Sequence, residues 1–75
     1  MLSKAVKIVT KYFESQQRVE TDTWIKYHVF RWYDSANMTN PYLIAAAVIY
    51  YGNYKFDWSE QEIENLAETL YHKYS

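Results

Sequence analysis

Apolar residues recur every three or four positions along most of the chain, which is the spacing of amphipathic α-helices. The first stretch predicts a helix over 3–17, with Ser3 as its candidate N-cap. The last predicts a helix over 59–74, and Ser59 with Glu62 forms the S-x-x-E pattern of a capping box at its start. The apolar stripe of this last helix is Ile63, Leu66, Ala67, Leu70, Tyr71 and Tyr74.

The third stretch is apolar on every side rather than along one stripe. Asn40 suits the N-cap, Pro41 the first helical position and Gly52 the left-handed position after the helix. These residues predict a helix over 41–51. Because a helix that is apolar all round must be covered on all sides, we expect it to be the central, most buried helix.

The stretch 21–33 has two interpretations. It is rich in aromatic and β-branched residues, which favours a strand, but a lone strand would have no other strand to pair with. Its spacing instead predicts a helix over 22–35, capped by Thr21 or Asp22. The alternative is an extended segment that packs across the three other helices. The stripe of the helical interpretation is Ile25, Val29, Trp32 and Tyr33.

Four short helices with short connections predict an all-α bundle that forms a single domain over 1–75. For a mass of 9.1 kDa, surface scaling predicts a folded accessible surface of about 4,900 Å². The longest run without a strongly polar residue is 41–51, about half the length of a bilayer span, so we expect no membrane segment. The N-terminal residues lack the apolar stretch of a signal peptide and Cys is absent, so we expect a cytoplasmic protein.

Composition leaves few routes to catalysis or metal binding. Without Cys there is no thiolate zinc site and no thiol nucleophile, and the single Gly excludes glycine-rich phosphate loops. Glu64, Glu68 and His72 follow one another every four positions, but this spacing is also ordinary on a solvated helix face. We therefore expect no enzyme activity, no metal and no cofactor.

The net charge of −1 is unevenly distributed. Residues 1–38 contain six Lys/Arg and four Asp/Glu, a charge of +2, whereas residues 39–75 contain two and five, a charge of −3. The basic first helix and the acidic fourth could pair within one molecule or between two. The basic face also suggests an alternative function, nucleic-acid binding. Its residues would be Lys4, Lys7, Lys11 and Arg18.

Aromatic residues are unusually abundant, with nine Tyr, three Trp and three Phe. The 22 Ile, Leu, Val, Met, Phe and Trp residues suffice for a core of this size, so many tyrosines must be partly exposed. Such rings are typical of interfaces, although AT-rich codons alone could also favour Tyr. We predict a non-enzymatic protein–protein interaction module (a regulator, inhibitor or assembly adaptor) that self-associates as a homodimer. Its predicted contact residues are Trp24, Trp32, Tyr42, Tyr50, Tyr51 and Tyr54.

Residue usage indicates the type of genome. Phe, Tyr, Met, Ile, Asn and Lys, which have AT-rich codons, account for 29 residues, and Gly, Ala, Arg and Pro account for 10. This bias indicates a low-GC bacterium, its phages or plasmids, or a comparable virus. In general character, a short α-helical chain of this composition with no active site resembles the accessory proteins of phages and plasmids.

Overall fold

The computed structural model describes residues 2–75, which form four helices and no strand. The predicted all-α bundle is confirmed, and the ambiguous stretch 21–33 is helical from its second residue onward. The accessible surface is 4891 Å², as the scaling with mass predicts. The helices are α1 (Leu2–Ser15), α2 (Asp22–Ala36), α3 (Pro41–Gly52) and α4 (Glu60–Tyr74).

The third helix is the central one, as its apolar composition predicts. Helices α1, α2 and α4 all pack against α3, and residues 44–49 are six consecutive buried positions. Three of these residues, 45–47, are alanines whose small side chains allow neighbouring helices to approach closely. The rest of the core is Ala5, Ile8, Val9, Phe13, Ile25, Val29, Ile63, Ala67 and Leu70.

Contacts at the two ends of α3 show that α1 runs parallel to it. The ammonium group of Lys4, in the first turn of α1, lies 5.6 Å from the ring centre of Tyr42 at the start of α3. Phe13, near the end of α1, faces Gly52 at the end of α3. The first and third helices therefore point the same way.

Helix α4 runs in the opposite direction. The hydroxyl of Tyr50, late in α3, donates to the carbonyl oxygen of Glu62 in the first turn of α4. The ring of Tyr42, early in α3, contacts that of Tyr71 near the end of α4. The loop between α3 and α4 consequently lies at the end of the bundle opposite to Lys4.

Side-chain caps start three of the helices. Helix α1 already includes Leu2, so Ser3 lies inside its first turn, and the prediction that Ser3 caps this helix is wrong. The other predicted N-caps are confirmed, since each side-chain oxygen accepts a hydrogen bond from a backbone N–H. These caps are Thr21 with Trp24 (3.1 Å), Asn40 with Tyr42 (2.9 Å) and Ser59 with Glu62 (3.2 Å).

The prediction that Gly52 takes the left-handed position after α3 is also wrong. Gly52 is the last residue of the helix, and the positive φ of 60° occurs two residues later, at Tyr54. Glycine is required at position 52 by packing instead. A Cβ there would lie 2.9 Å from Cζ of Phe13, closer than Cβ contacts occur in proteins, and 3.1 Å from Cη2 of Trp24, which is a tight contact.

Helix α1 ends two residues earlier than predicted. Its last residue is Ser15, and Gln17 adopts a left-handed φ of 57°. The N–H of Arg18 bonds to the carbonyl of Phe13 at 2.9 Å, which closes the helix end. The chain therefore turns towards α2 at Arg18.

Candidate protein-binding surface

Four aromatic side chains lie close together where α2, α3 and the loop after α3 meet. Tyr27, Tyr54 and Phe56 are 61%, 80% and 61% exposed, and Tyr51 is half-buried. The ring centres of Tyr51 and Phe56 are 5.3 Å apart, and those of Tyr54 and Phe56 are 6.4 Å apart. We call these four residues the aromatic surface.

A buried histidine connects the helix α2 part of the aromatic surface to the rest. The ring centre of His28 lies 5.1 Å from that of Tyr27 and 4.8 Å from that of Tyr51. Burial lowers the pKa of His28, and the positive charge of Arg31 lowers it further, against an opposing effect of Glu20. The imidazole is therefore neutral at neutral pH and acts as an aromatic spacer between the two tyrosines.

A groove of about 270 Å³ runs beside the two most exposed loop rings. It offers a concave place next to protruding aromatic side chains, which is where interface anchors usually bind. Its walls carry charges of both signs, as the polar rim of an interface does. The groove is lined by Tyr54, Lys55, Phe56, Asp57, Trp58 and Glu62.

The backbone holds Tyr54 in a conformation that does not suit it. The N–H of Tyr54 bonds to the carbonyl of Tyr51 at 3.0 Å, and that of Lys55 to Tyr50 at 2.9 Å, which is a Schellman motif. The left-handed residue of this motif is usually Gly, and a residue with a Cβ costs about 1–2 kcal/mol there. Because the ring is largely exposed, its packing offsets little of this cost. Gln17 and Asn37 have the same left-handed φ at the ends of α1 and α2, so this conformation is shared by three helix ends of the bundle.

Of the six predicted contact residues, Tyr51 and Tyr54 belong to the aromatic surface. Trp24, Trp32 and Tyr50 are half-buried and join helices together. Trp32 and Tyr50 lie 5.3 Å and 5.9 Å from the ring centre of Trp58. Burial first, and then the negative charge of Glu62, raise the pKa of Tyr50. These three residues are placed to support the fold.

The sixth predicted residue, Tyr42, lies at the other end of α3. Its ring centre is 5.2 Å from that of Tyr71, and Lys4 lies over it. The structure therefore divides the predicted set between two ends of the bundle. Tyr27 and Phe56 complete the aromatic surface but were not predicted. A usable indication was present, since Tyr27 falls outside the apolar stripe of α2 and Phe56 lies outside every predicted helix.

The four basic residues predicted for nucleic-acid binding do not all lie together in the structure. Lys4, Lys7 and Lys11 line one cleft of α1, and no ion pair among residues 2–75 uses them. Arg18 lies apart from them, and its guanidinium donates to the carbonyl oxygen of Gly52 at 2.8 Å. Three lysines thus remain available to a ligand, whereas Arg18 is engaged within the chain.

Other kinds of site are not evident in the described part of the chain. No three His, Asp or Glu side chains between residues 2 and 75 converge closely enough to hold a metal ion. The same residues include no helix with the length and apolarity of a bilayer span. No family model, no curated protein and no solved structure matches this chain. The exposed surfaces are therefore the basis for assigning a function.

Proposed function

We propose that this protein is a non-enzymatic interaction module that binds another protein through the aromatic surface. The observation that supports the proposal is the ring contact among Tyr51, Tyr54 and Phe56, with Tyr27 nearby across His28. Three of the four residues of the aromatic surface are more than half exposed. Exposed apolar side chains are ordinary when scattered, but grouped rings next to a groove are typical of contact sites.

The geometry suggests how a partner would bind. The rings of Tyr54 and Phe56 protrude from the loop after α3, and the adjacent groove can accept an apolar side chain of the partner. Burial of this apolar area would contribute about 25 cal/mol per Å². Since hydrogen bonds already fix the backbone of Tyr54, binding would lose little backbone conformational entropy there.

The biological setting belongs to the same proposal. The protein would act in the cytoplasm as a regulator, inhibitor or assembly adaptor of a larger protein. The residue usage supports an origin in a phage or plasmid of a low-GC bacterium. We also propose that the protein self-associates as a homodimer.

Affinity capture from an extract of the source cells tests the binding proposal. The bait is the wild-type chain, and the variant Tyr54→Gly/Phe56→Ser removes the two loop rings. The matched control is Val19→Ser, since Val19 is an apolar residue that is 95% exposed and outside the aromatic surface. Mass spectrometry should identify a protein that wild type and control enrich equally and the double variant fails to enrich. Equal enrichment by all three baits would contradict the proposal.

A further inference from the structure

We infer that the protein forms a two-fold symmetric dimer through a face formed by α1, the start of α3 and α4, which contains none of the aromatic surface. This inference deepens the self-association in the proposed function and rests on it, but it uses none of the residues of the aromatic surface. It is based on two clefts of opposite charge that lie side by side.

The first cleft is basic and has a volume of about 340 Å³. Its three lysines are exposed side chains one turn apart on α1. None of them pairs with a carboxylate in the described part of the chain. The cleft is lined by Ser3, Lys4, Lys7, Ile8, Lys11 and Tyr74.

The second cleft has the same volume, about 340 Å³, and is acidic. It lies between the start of α3 and the middle and end of α4, with an apolar floor and exposed carboxylates at its edge. The cleft is lined by Asn40, Tyr42, Leu43, Glu64, Ala67, Glu68 and Tyr71.

Two tyrosines form the boundary between the clefts. Tyr42 and Tyr71 have ring centres 5.2 Å apart, and Tyr71 is 51% exposed. Lys4 of the basic cleft lies over the ring of Tyr42, which lines the acidic cleft. The last turn of α4 also reaches both clefts, through Tyr71 and Tyr74.

This arrangement is complementary to itself. A two-fold axis through Tyr42 and Tyr71 would place the lysines of one copy opposite Glu64 and Glu68 of a second copy, and the reverse. The two tyrosines would then occupy the centre of the interface, where aromatic anchors contribute most.

Most of the cleft charges have no partner among residues 2–75, and the exception is Glu68, which lies 3.8 Å from the imidazole of His72 on the same helix. Among the described residues, no lysine of α1 forms an ion pair with a glutamate of α4. Helix α4 packs mainly on α3. Pairing between two molecules would therefore give partners to Glu64 and to the three lysines of α1, which form no ion pair within the described residues.

Charge exchange tests the dimer. One variant is Lys4→Glu/Lys7→Glu/Lys11→Glu, which makes both clefts acidic, and the other is Glu64→Lys/Glu68→Lys, which makes both basic. Sedimentation equilibrium over a concentration series, at low and high salt, should show a salt-sensitive dimer for wild type. Each variant alone should dimerise at least about tenfold more weakly, and an equimolar mixture should recover a dimer.

Two controls keep the result interpretable. Lys26→Glu changes an exposed charge of α2 outside both clefts and should leave the dimer unchanged. Circular dichroism should show wild-type helicity in every variant, and Lys7→Gln is a milder change with the same expected direction. Tyr54→Gly/Phe56→Ser should still dimerise, so failure of partner capture and failure of dimerisation are separate results.

Three outcomes would overturn the inference. Wild type could be a monomer at every concentration at low salt, the folded variants could dimerise as tightly as wild type, or their mixture could remain monomeric. A gel-shift assay with a random oligonucleotide tests the competing assignment, in which the basic cleft binds nucleic acid. If wild type shifts the oligonucleotide as a monomer and the lysine variant does not, the basic cleft binds nucleic acid instead.

Discussion

The guanidinium group of Arg18 donates a 2.8 Å hydrogen bond to the carbonyl oxygen of Gly52, the last residue of α3. The same group pairs with Glu20 at 2.8 Å and lies 4.6 Å from the ring centre of Phe13. A cation at a helix C-terminus compensates the partial negative charge of the unpaired carbonyls. Arg18 therefore fastens the connection between α1 and α2 to the base of the loop that carries Tyr54.

Removal of the Arg18 side chain, which caps the C-terminus of α3, should destabilise the fold. We expect Arg18→Ala to lower the free energy of unfolding by about 1–2 kcal/mol, because one charged hydrogen bond and the packing on Phe13 are lost. The free energy of unfolding of Arg18→Lys should lie between those of wild type and Arg18→Ala, since lysine keeps the charge but not the planar group. Urea denaturation measures the difference, with the exposed Arg31→Ala as control. Equal losses in Arg18→Ala and Arg31→Ala would show that the cap contributes nothing specific.

A methyl group at position 52 should also destabilise the fold, although alanine is the better helix former by about 1 kcal/mol. The new Cβ would lie 2.9 Å from Cζ of Phe13, and this ring is buried in the core. We expect Gly52→Ala to cost about 1–3 kcal/mol. The cost should shrink in a Phe13→Leu background, which a double-mutant cycle measures. A rise in stability with Gly52→Ala alone would disprove the close approach.

At position 54, by contrast, a change from tyrosine to glycine should stabilise the fold. Glycine adopts the left-handed φ of 60° without a Cβ clash, so Tyr54→Gly should raise the free energy of unfolding by about 0.5–1 kcal/mol. Lys55→Gly, one residue later and without a positive φ, should lower it instead. Thermal and urea denaturation of both variants show whether each change raises or lowers the free energy of unfolding. A destabilised Tyr54→Gly would mean that the tyrosine ring itself supports the fold.

The fold should become less stable as the pH is lowered, because His28 takes up a proton. Its pKa in the folded state is lowered from 6.5 by burial and by Arg31, so the unfolded chain binds more protons below about pH 6.5. Stability is thus highest above this pH and declines as the pH falls towards the folded-state pKa. Unfolding free energies between pH 8 and 5.5 should show the decline in wild type and in His72→Gln, which keeps His28. A decline of the same size in His28→Phe would exclude this origin.

Much of the fold could be predicted from the sequence because its determinants are local. Thr21, Asn40 and Ser59 cap helices through hydrogen bonds to residues two or three positions away, and such patterns are visible in the chain. Gly52 shows where local reasoning fails. Its requirement comes from Phe13 on a different helix, and the left-handed position passes to Tyr54, which no propensity favours.

The candidate site was only partly predictable, for a similar reason. The surplus of tyrosines indicated that rings must be exposed, and none of the nine is fully buried. Which rings join into one surface depends on how the helices pack and on the path of a loop. Tyr50 and Tyr51 are neighbours in the sequence, yet Tyr50 stacks on Trp58 whereas Tyr51 contacts Phe56.

The dissociation constant of a captured partner for wild type and for Tyr54→Gly tests the binding role most directly. Calorimetric titration of the purified pair gives both values, with Val19→Ser as the control for loss of exposed apolar area. We expect Tyr54→Gly to bind at least about tenfold more weakly, an effect of about 1.4 kcal/mol, although its fold is at least as stable as that of wild type. An unchanged dissociation constant would contradict the assignment of the aromatic surface to protein binding.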